Sequence, residues 1–205
     1  MALPDLEFLK QRKQGILGEN QSFRSAVFMP LLELNGEPHV LFEKRAADLK
    51  VQPGEICFPG GAIDQKDASP AQAAIRETSE ELKISREDIE LVAPLDIMVS
   101  PFNAIVYPFV GVIKNPNNIS CNPSEVDEIF YVPLQHLIDQ DPLKYVVNLA
   151  VQMPEDYPYE LVPGGKNYPY RTGKMPQQFY FWEDRIIWGL TARILHHFLD
   201  LLSSK

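Results

Sequence analysis

The chain of 205 residues has few cysteines, no long apolar run and no excess of basic residues. Its two cysteines, Cys57 and Cys121, stand outside any CxxC pattern, which excludes a disulfide framework and favours reduced, buried thiols. No stretch approaches the ~20 apolar residues that a membrane helix needs. The first residues show no secretory signal, because Asp5 and Glu7 interrupt the apolar positions there. We therefore expect a cytoplasmic protein that has no membrane partner.

Acidic residues outnumber basic ones, with 28 Asp and Glu against 19 Lys and Arg and a net charge of −9. This balance excludes a general nucleic-acid binder that works through a basic surface. A protein so acidic needs local cations, from side chains or a metal ion, to handle an anionic substrate. The length and the hydrophobic content of 45% predict a single domain that spans residues 1–205.

The most informative stretch begins with a glycine pair, Gly60-Gly61, and continues through an acidic loop into a helix. Ser69 suits the N-cap of that helix and Pro70 suits its first position. Gln72, three residues after Ser69, completes a capping box. The residues that follow are mostly strong helix formers.

Three glutamates, Glu77, Glu80 and Glu81, lie at positions i, i+3 and i+4 of this helix and therefore on one face. Like charges this close oppose helix formation unless a cation lies among them. Carboxylate oxygens are the ligands that Mg²⁺ or Mn²⁺ prefers. The alternative interpretation is that the three glutamates form a solvated helix face that binds no ligand.

Strand-like and helix-like segments surround this stretch. Asn35-Gly36, between two apolar runs, predicts a β-hairpin, and Pro30 places the first of these runs at a sheet edge or a bulge. Residues 1–20 are predicted to form a helical extension, with a short amphipathic helix from Asp5 to Gln14 followed by a loop. Strands followed by a helix, more strands and a last helix predict an α+β fold with a mixed sheet.

The C-terminal part combines a long loop and a helix. Residues 153–178 are rich in proline, glycine and tyrosine and predict a long loop or an extended hairpin. Residues 184–203 carry an apolar stripe at helical spacing, which predicts a C-terminal helix. The stripe favours core packing, and a homodimer interface is the alternative.

Arg76 to Ile84, after Gly60-Gly61, resembles the Nudix box, the signature of the Nudix hydrolases. The pattern is Arg-Glu-apolar-x-Glu-Glu-x-Gly-apolar, and this chain keeps the arginine and all three glutamates. It departs from the pattern at three positions, which are Thr78 at an apolar position, Lys83 for glycine and Ala68 for an upstream glutamate. Asp64 or Asp67 is the candidate to replace that glutamate.

The segment before the box, from Arg45 to Gly61, resembles the corresponding segment of coenzyme A pyrophosphatases, with Lys50 in place of an arginine. The C-terminal stretches 180–182 and 188–192 are also similar to that subgroup. The resemblance implies an α/β/α sandwich with a mixed central β-sheet. It also implies hydrolysis of the diphosphate of coenzyme A or its thioesters to 3′,5′-ADP and 4′-phosphopantetheine or its acyl form.

The resemblance also implies roles for individual residues. Glu80 and Glu81 are expected metal ligands, and Glu77 is either a third ligand or the general base. Arg76 is expected to orient the carboxylates by pairing with Glu80, which makes Arg76, Glu77 and Glu81 the catalytic set. The Gly61 carbonyl and an acid outside the box complete the expected ligands for Mg²⁺ or Mn²⁺. For that acid Glu125 is preferred to Glu128.

Three cations near the segment before the box, Lys44, Arg45 and Lys50, are candidates for binding the 3′-phosphate or the diphosphate. The alternative is that they are ordinary surface charges. Two rival functions also remain. One is hydrolysis of another nucleoside diphosphate derivative, such as ADP-ribose or NADH, and the other is a non-catalytic nucleotide sensor.

Overall fold

The structure, a computed structural model, describes residues 5–204, so the first four residues of the predicted extension 1–20 lie outside it. The predicted helix from Asp5 to Gln14 is wrong, because the described part of the extension holds only two short 3₁₀ turns, Glu7–Leu9 and Glu19–Gln21. Leu6 and Phe8 are 54% and 75% exposed, so the apolar side chains there have no packing face to hold a helix.

Eleven strands and three α-helices make up the regular structure of residues 5–204. No helix in this described range is both long and apolar enough to cross a bilayer. The helices are α1 (Pro70–Leu82), α2 (Leu134–Asp139) and α3 (Gly189–Ser203). The strands are β1 (Phe23–Leu34), β2 (Glu37–Arg45), β3 (Ile56–Cys57), β4 (Gly60–Ala62), β5 (Ile89–Pro94), β6 (Met98–Ser100), β7 (Ala104–Ile113), β8 (Val126–Pro133), β9 (Leu143–Leu149), β10 (Gly173–Trp182) and β11 (Arg185–Ile187).

The central sheet is mixed and has eight strands. Its main order is β3-β2-β1-β7-β5, while β4, β6 and β8 pair with β1, β7 and β2 respectively. Strands β1 and β7 run parallel, and the other pairs of this sheet are antiparallel. A smaller sheet has the order β11-β10-β9.

Two apolar clusters lie on opposite faces of the central sheet. In one, Ala73, Ala74 and Leu82 of α1 pack with Phe28 and Leu41 of the sheet. In the other, side chains of α3 pack with the opposite face of β2 and with β10. The structure therefore confirms the α/β/α sandwich, in which one helix covers each face. The stripe of α3 supplies core packing, as the sequence favoured.

The predicted hairpin is present, since β1 and β2 pair from Leu34 and Glu37 onwards. Asn35 and Gly36 both take positive φ, 53° and 83°, as the tight turn requires. The edge prediction for Pro30 is wrong, because β1 lies inside the sheet. The proline is tolerated there because β4 pairs with β1 only at residues 25–27 and β2 pairs only from residue 31.

The C-terminal boundaries differ from the prediction. The loop predicted at 153–178 runs from 150 to 172 and joins β9 to β10, so it closes an extended hairpin. Tyr157 and Tyr170 hydrogen-bond across it through their hydroxyl groups at 3.4 Å. The predicted helix 184–203 begins later, at Gly189, because Arg185–Ile187 pairs with Tyr180–Trp182 as a strand.

Candidate active site

Helix α1 is fixed to the sheet in a way that presents its glutamates to the turn at Gly60-Gly61. The Ser69 Oγ accepts a hydrogen bond from the Gln72 N–H at 3.3 Å, so the predicted N-cap is present. Thr78 is fully buried, and its hydroxyl donates to the Ala74 carbonyl at 2.7 Å, which satisfies a polar group at an apolar position of the pattern. Lys83 ends the helix with a φ of 51°, the left-handed conformation that glycine adopts more easily.

Arg76 links three carboxylates at the base of the site. Its guanidinium donates to both Asp67 oxygens at 3.0 and 2.9 Å and to Glu77 Oε1 at 2.8 Å. The predicted pairing with Glu80 is also present, but it is longer, at 3.4 Å. Asp67, which is almost buried, is therefore the principal partner of Arg76. Asp64 contributes its backbone N–H to Asp67.

The glycine turn, residues 60–61, lies directly against the carboxylates of α1. The Gly60 N–H donates to Glu81 Oε2 at 2.8 Å. A Cβ atom added to Gly61 would lie 2.6 Å from the Glu77 carboxyl carbon. Both glycines form strand β4, which pairs with β1, so the central sheet holds the turn in place. Glycine at residue 61 leaves room for Glu77 in this position, because a Cβ there would displace the Glu77 carboxylate.

Glu43, which was not predicted from the sequence, is a further acid of this cluster and is buried like Glu81. It lies on β2 and is only 1% exposed. Its Oε1 accepts a hydrogen bond from the Cys57 thiol at 3.4 Å, and its Oε2 has no hydrogen-bond partner among residues 5–204. Its position within an apolar strand could have identified it as a candidate site residue, because a carboxylate buried in such a strand must be paired or functional.

Of the two acids proposed outside the box, Glu125 lies with the cluster and Glu128 is engaged elsewhere. The Glu125 carboxylate accepts a hydrogen bond from the Asn122 side-chain amide at 3.1 Å. Asn122 also donates its backbone N–H to the Glu81 carbonyl at 2.8 Å, which ties this segment to the end of α1. Glu128 forms an ion pair with Arg185. The geometry therefore favours Glu125 as the outer acid.

The carboxylates of the cluster raise one another's pKa. Burial, reinforced by the charge of Glu43, raises the pKa of Glu81 from its usual 4.5 to about 9. Burial also raises the pKa of Glu43 to about 7, and nearby Glu125 and Glu77 act in the same direction. Burial raises the pKa of Glu77 against the opposing effect of Arg76. The site concentrates negative charge that a cation would relieve.

The donor set fits a hard divalent cation, since it consists of carboxylate oxygens and includes the unpartnered Oε2 of buried Glu43. Within residues 5–204, however, no three His, Cys, Asp or Glu side chains already stand in an arrangement that could hold a metal ion. Arg76 engages Glu77, and the Gly60 N–H engages Glu81.

The raised pKa values predict how stability depends on pH. Without divalent ions, the free energy of unfolding should fall by at least about 2 kcal/mol as the pH rises from 5 to 8. The reason is that Glu81 and Glu43 keep their protons in the folded state up to about pH 9 and 7 but lose them near 4.5 when unfolded. Urea unfolding in EDTA measures this. Mg²⁺ should stabilise more at pH 8 than at pH 6, and metal-free stability that rises with pH would contradict the prediction.

The three candidate cations do not meet at one place. Arg45 lines a cavity of about 310 Å³ together with Gly60, Gly61 and Cys57. Lys44, which precedes Arg45 on β2, lines a different cavity beside Glu128 and forms an ion pair with Asp127 at 3.0 Å. Lys50 is exposed and lines neither cavity. Arg45 is thus the candidate that the structure brings to the glutamate cluster.

Comparisons with known proteins agree with this geometry. A family model described as the NUDIX domain matches residues 22–151. The Nudix hydrolase NudL of Photorhabdus laumondii is 30% identical over 84% of this chain and 81% of its own length. The peroxisomal coenzyme A diphosphatase NUDT7 of Mus musculus is 34% identical over 57% of this chain and half of its own length. The solved structure of a MutT/nudix family protein from Enterococcus faecalis shares the fold, with a TM-score of 0.52. It is 14% identical, and the match covers 97% of this chain and 68% of that protein's chain.

Proposed function

The chain belongs to the Nudix hydrolase family, and on that premise we propose that it hydrolyses the diphosphate linkage of coenzyme A or its thioesters. Water adds to one phosphorus atom and the bridging P–O bond breaks. The products are 3′,5′-ADP and 4′-phosphopantetheine or its acyl form. The observation that carries the proposal is the meeting of Glu77, Glu81, Glu43 and Glu125 at the glycine turn, beside the cavity that Arg45 lines.

Within this proposal, Glu77, Glu80, Glu81, Glu125 and the Gly61 carbonyl would hold Mg²⁺ or Mn²⁺. When bound, the metal neutralises diphosphate charge and lowers the pKa of a water molecule. The contacts of Arg76 with Asp67, Glu77 and Glu80 fix where these carboxylates lie. Glu77 remains either a ligand or the base that accepts the proton of the attacking water.

Arg45 is the residue proposed to bind a phosphate oxygen of the substrate. It lines the cavity, and within the described chain the one hydrogen bond of its guanidinium goes to the Val51 carbonyl at 3.4 Å, while its Nε is buried without a partner. A guanidinium with unused N–H groups is suited to bidentate binding of phosphate. The choice of coenzyme A rather than another diphosphate is supported by the segment from Arg45 to Gly61 and by the name of the mouse relative.

Turnover of coenzyme A, ADP-ribose and NADH, measured side by side with Mg²⁺, tests the proposal. We expect kcat/KM for coenzyme A to exceed the other two values by at least about tenfold, since that factor corresponds to 1.4 kcal/mol of preferential binding in the transition state. EDTA should abolish the activity. A preference for ADP-ribose would exclude the coenzyme A assignment. Nucleotide binding without turnover of any substrate would support the sensor alternative.

Two neighbouring variants locate the phosphate contact in the same assay. Arg45→Gln is expected to raise KM for coenzyme A about tenfold, because a charge-assisted hydrogen bond is lost. Lys44→Gln is the matched comparison, since Lys44 is adjacent in sequence but lines the other cavity. If Lys44→Gln raised KM as much as Arg45→Gln, the phosphate would have to bind elsewhere.

A further inference from the structure

A second cavity of about 480 Å³ continues from the one at the glycine turn. We name it the distal cleft, and Val51, Phe102, Met175, Trp188 and Leu190 line it. Val51, Trp188 and Leu190 also line the cavity that contains Gly60 and Gly61, so the two cavities form one continuous space. The distal cleft is within the size range of ligand sites in proteins.

The walls of the distal cleft expose large apolar side chains. Phe102 is 64% exposed, Val51 65% and Trp188 41%. Phe23, at the junction of the two cavities, is 61% exposed. Contiguous apolar surface of this kind is uncommon on soluble proteins and marks a binding surface. The polar side chains of the cleft include Gln52, Gln177 and Arg193, which suit the amides of an extended ligand better than a bare hydrocarbon.

The apolar surface continues beyond Trp188. The Trp188 ring stacks on Phe179, with ring centroids 6.4 Å apart and planes 5° from parallel. On that side a further cavity of about 470 Å³ has walls formed by Leu143, Tyr145, Phe179, Phe181, Ile186 and Trp188. An apolar path therefore leads from the glycine turn, past Trp188, to the sheet β11-β10-β9.

We propose that the acyl chain of a coenzyme A thioester lies in the distal cleft, so that this protein prefers acyl thioesters to free coenzyme A. This inference rests on the proposed function, which sets the diphosphate at the glycine turn. The pantetheine arm then passes Gln52 and Val51, and the hydrocarbon contacts Phe102, Met175 and Trp188. The continuity of the cleft with the diphosphate site favours this occupant over a second copy of the chain.

Calorimetry with Mg²⁺ on the Glu80→Gln variant, in which hydrolysis should be at least about a hundredfold slower, tests the inference. We expect octanoyl coenzyme A to bind at least about tenfold more tightly than coenzyme A, because buried methylene groups each favour binding by up to about fourfold. The heat-capacity change should be more negative for the octanoyl thioester. Equal affinities, or no binding of the octanoyl thioester, would overturn the inference.

A pair of surface variants in the same Glu80→Gln background shows where the acyl chain binds. Phe102→Asp should reduce the ratio of the two affinities at least about fivefold, because a charge then lies in the apolar wall. Val92→Asp is the control, since Val92 is also exposed, at 61%, and lines none of these cavities. If both variants preserved the ratio, the chain would lie elsewhere. If sedimentation found a dimer that Phe102→Asp dissociates, the face would belong to a second copy.

The two proposals fail in different ways. If the wild-type protein hydrolysed neither ligand but bound the octanoyl thioester more tightly, the proposed hydrolysis would be wrong and the cleft assignment would remain. If it hydrolysed free coenzyme A well and showed no effect of the acyl chain, the cleft assignment alone would be wrong.

Discussion

Replacing Glu80 by glutamine is expected to lower kcat for coenzyme A at least about a hundredfold and to leave the melting temperature unchanged. Half of the Glu80 side chain is exposed, and its one ion pair within the described residues is the 3.4 Å contact with Arg76. A substitution at such a position changes stability by about 0.5 kcal/mol or less. The loss of activity would therefore reflect the loss of the proposed metal ligand rather than of the fold. Steady-state kinetics at several Mg²⁺ concentrations, together with thermal unfolding, measure both effects.

Glu87→Gln is the matched control, because Glu87 is an exposed glutamate close to α1 whose side chain is outside the glutamate cluster. It should keep kcat within about twofold, as expected for a surface substitution away from the site. The Mg²⁺ concentration needed for half-maximal activity should rise in Glu80→Gln and not in Glu87→Gln. Unchanged turnover in Glu80→Gln would show that the metal assignment of this face is wrong.

The two glycines of the turn should respond to alanine in opposite ways. Gly60→Ala is expected to destabilise the fold by at least about 3 kcal/mol, since overpacking and an unfavourable backbone conformation add up. Gly60 has a φ of 148°, and an added Cβ would lie 2.3 Å from the Ala26 carbonyl oxygen. Gly61→Ala should largely keep the fold and lower kcat about a hundredfold. The added Cβ would contact the end of the Glu77 side chain and displace it. If Glu77 has the proposed catalytic role, a displacement of about 1 Å is enough to lower the rate about a hundredfold.

Urea unfolding separates the two glycine variants, and kinetics at saturating Mg²⁺ completes the comparison. Gly173→Ala is a suitable control, because an added Cβ there meets Leu149 at an ordinary distance of 3.4 Å. Full activity in Gly61→Ala would show that the position of Glu77 against the turn has no catalytic importance. A stable Gly60→Ala variant would show that β4 separates easily from β1.

The parts of the site that could be predicted from the sequence are local in the chain. Ser69, Pro70 and the three glutamates lie within one helix, where spacing alone determines which side chains share a face. The β-hairpin at Asn35-Gly36 is equally local, since the turn itself selects the pairing. The choice between Asp64 and Asp67 as the replacement for the upstream glutamate stayed open, because both lie in an irregular loop where spacing determines no direction. The principal partner of Arg76 was predicted as Glu80, but it is Asp67.

The parts that could not be predicted depend on contacts between distant segments. Glu43 joins the cluster because β2 lies next to β3 and close to α1, which no pattern within β2 reveals. Val40, Leu41 and Phe42 are all buried, so β2 lacks the alternation that would have assigned Glu43 to a face. Strand β9 is mostly exposed and gains its conformation from pairing with β10. The helix predicted from Asp5 to Gln14 is wrong for a different reason, because apolar side chains of that stretch, such as Leu6 and Phe8, stay exposed in the described part of the chain.

The parallel pairing of β1 with β7 has a consequence for how fast the protein folds. The two strands pair although they are far apart in the sequence. Strand β4, which contains the two glycines and comes from the segment between β1 and β7, also pairs with β1. Contacts between such distant segments form late, because the entropy of closing the loop must be overcome first. We expect the carboxylate cluster, which also joins distant segments, to be completed after the folding barrier has been crossed. A divalent ion that binds this cluster should slow unfolding and have little effect on the folding rate.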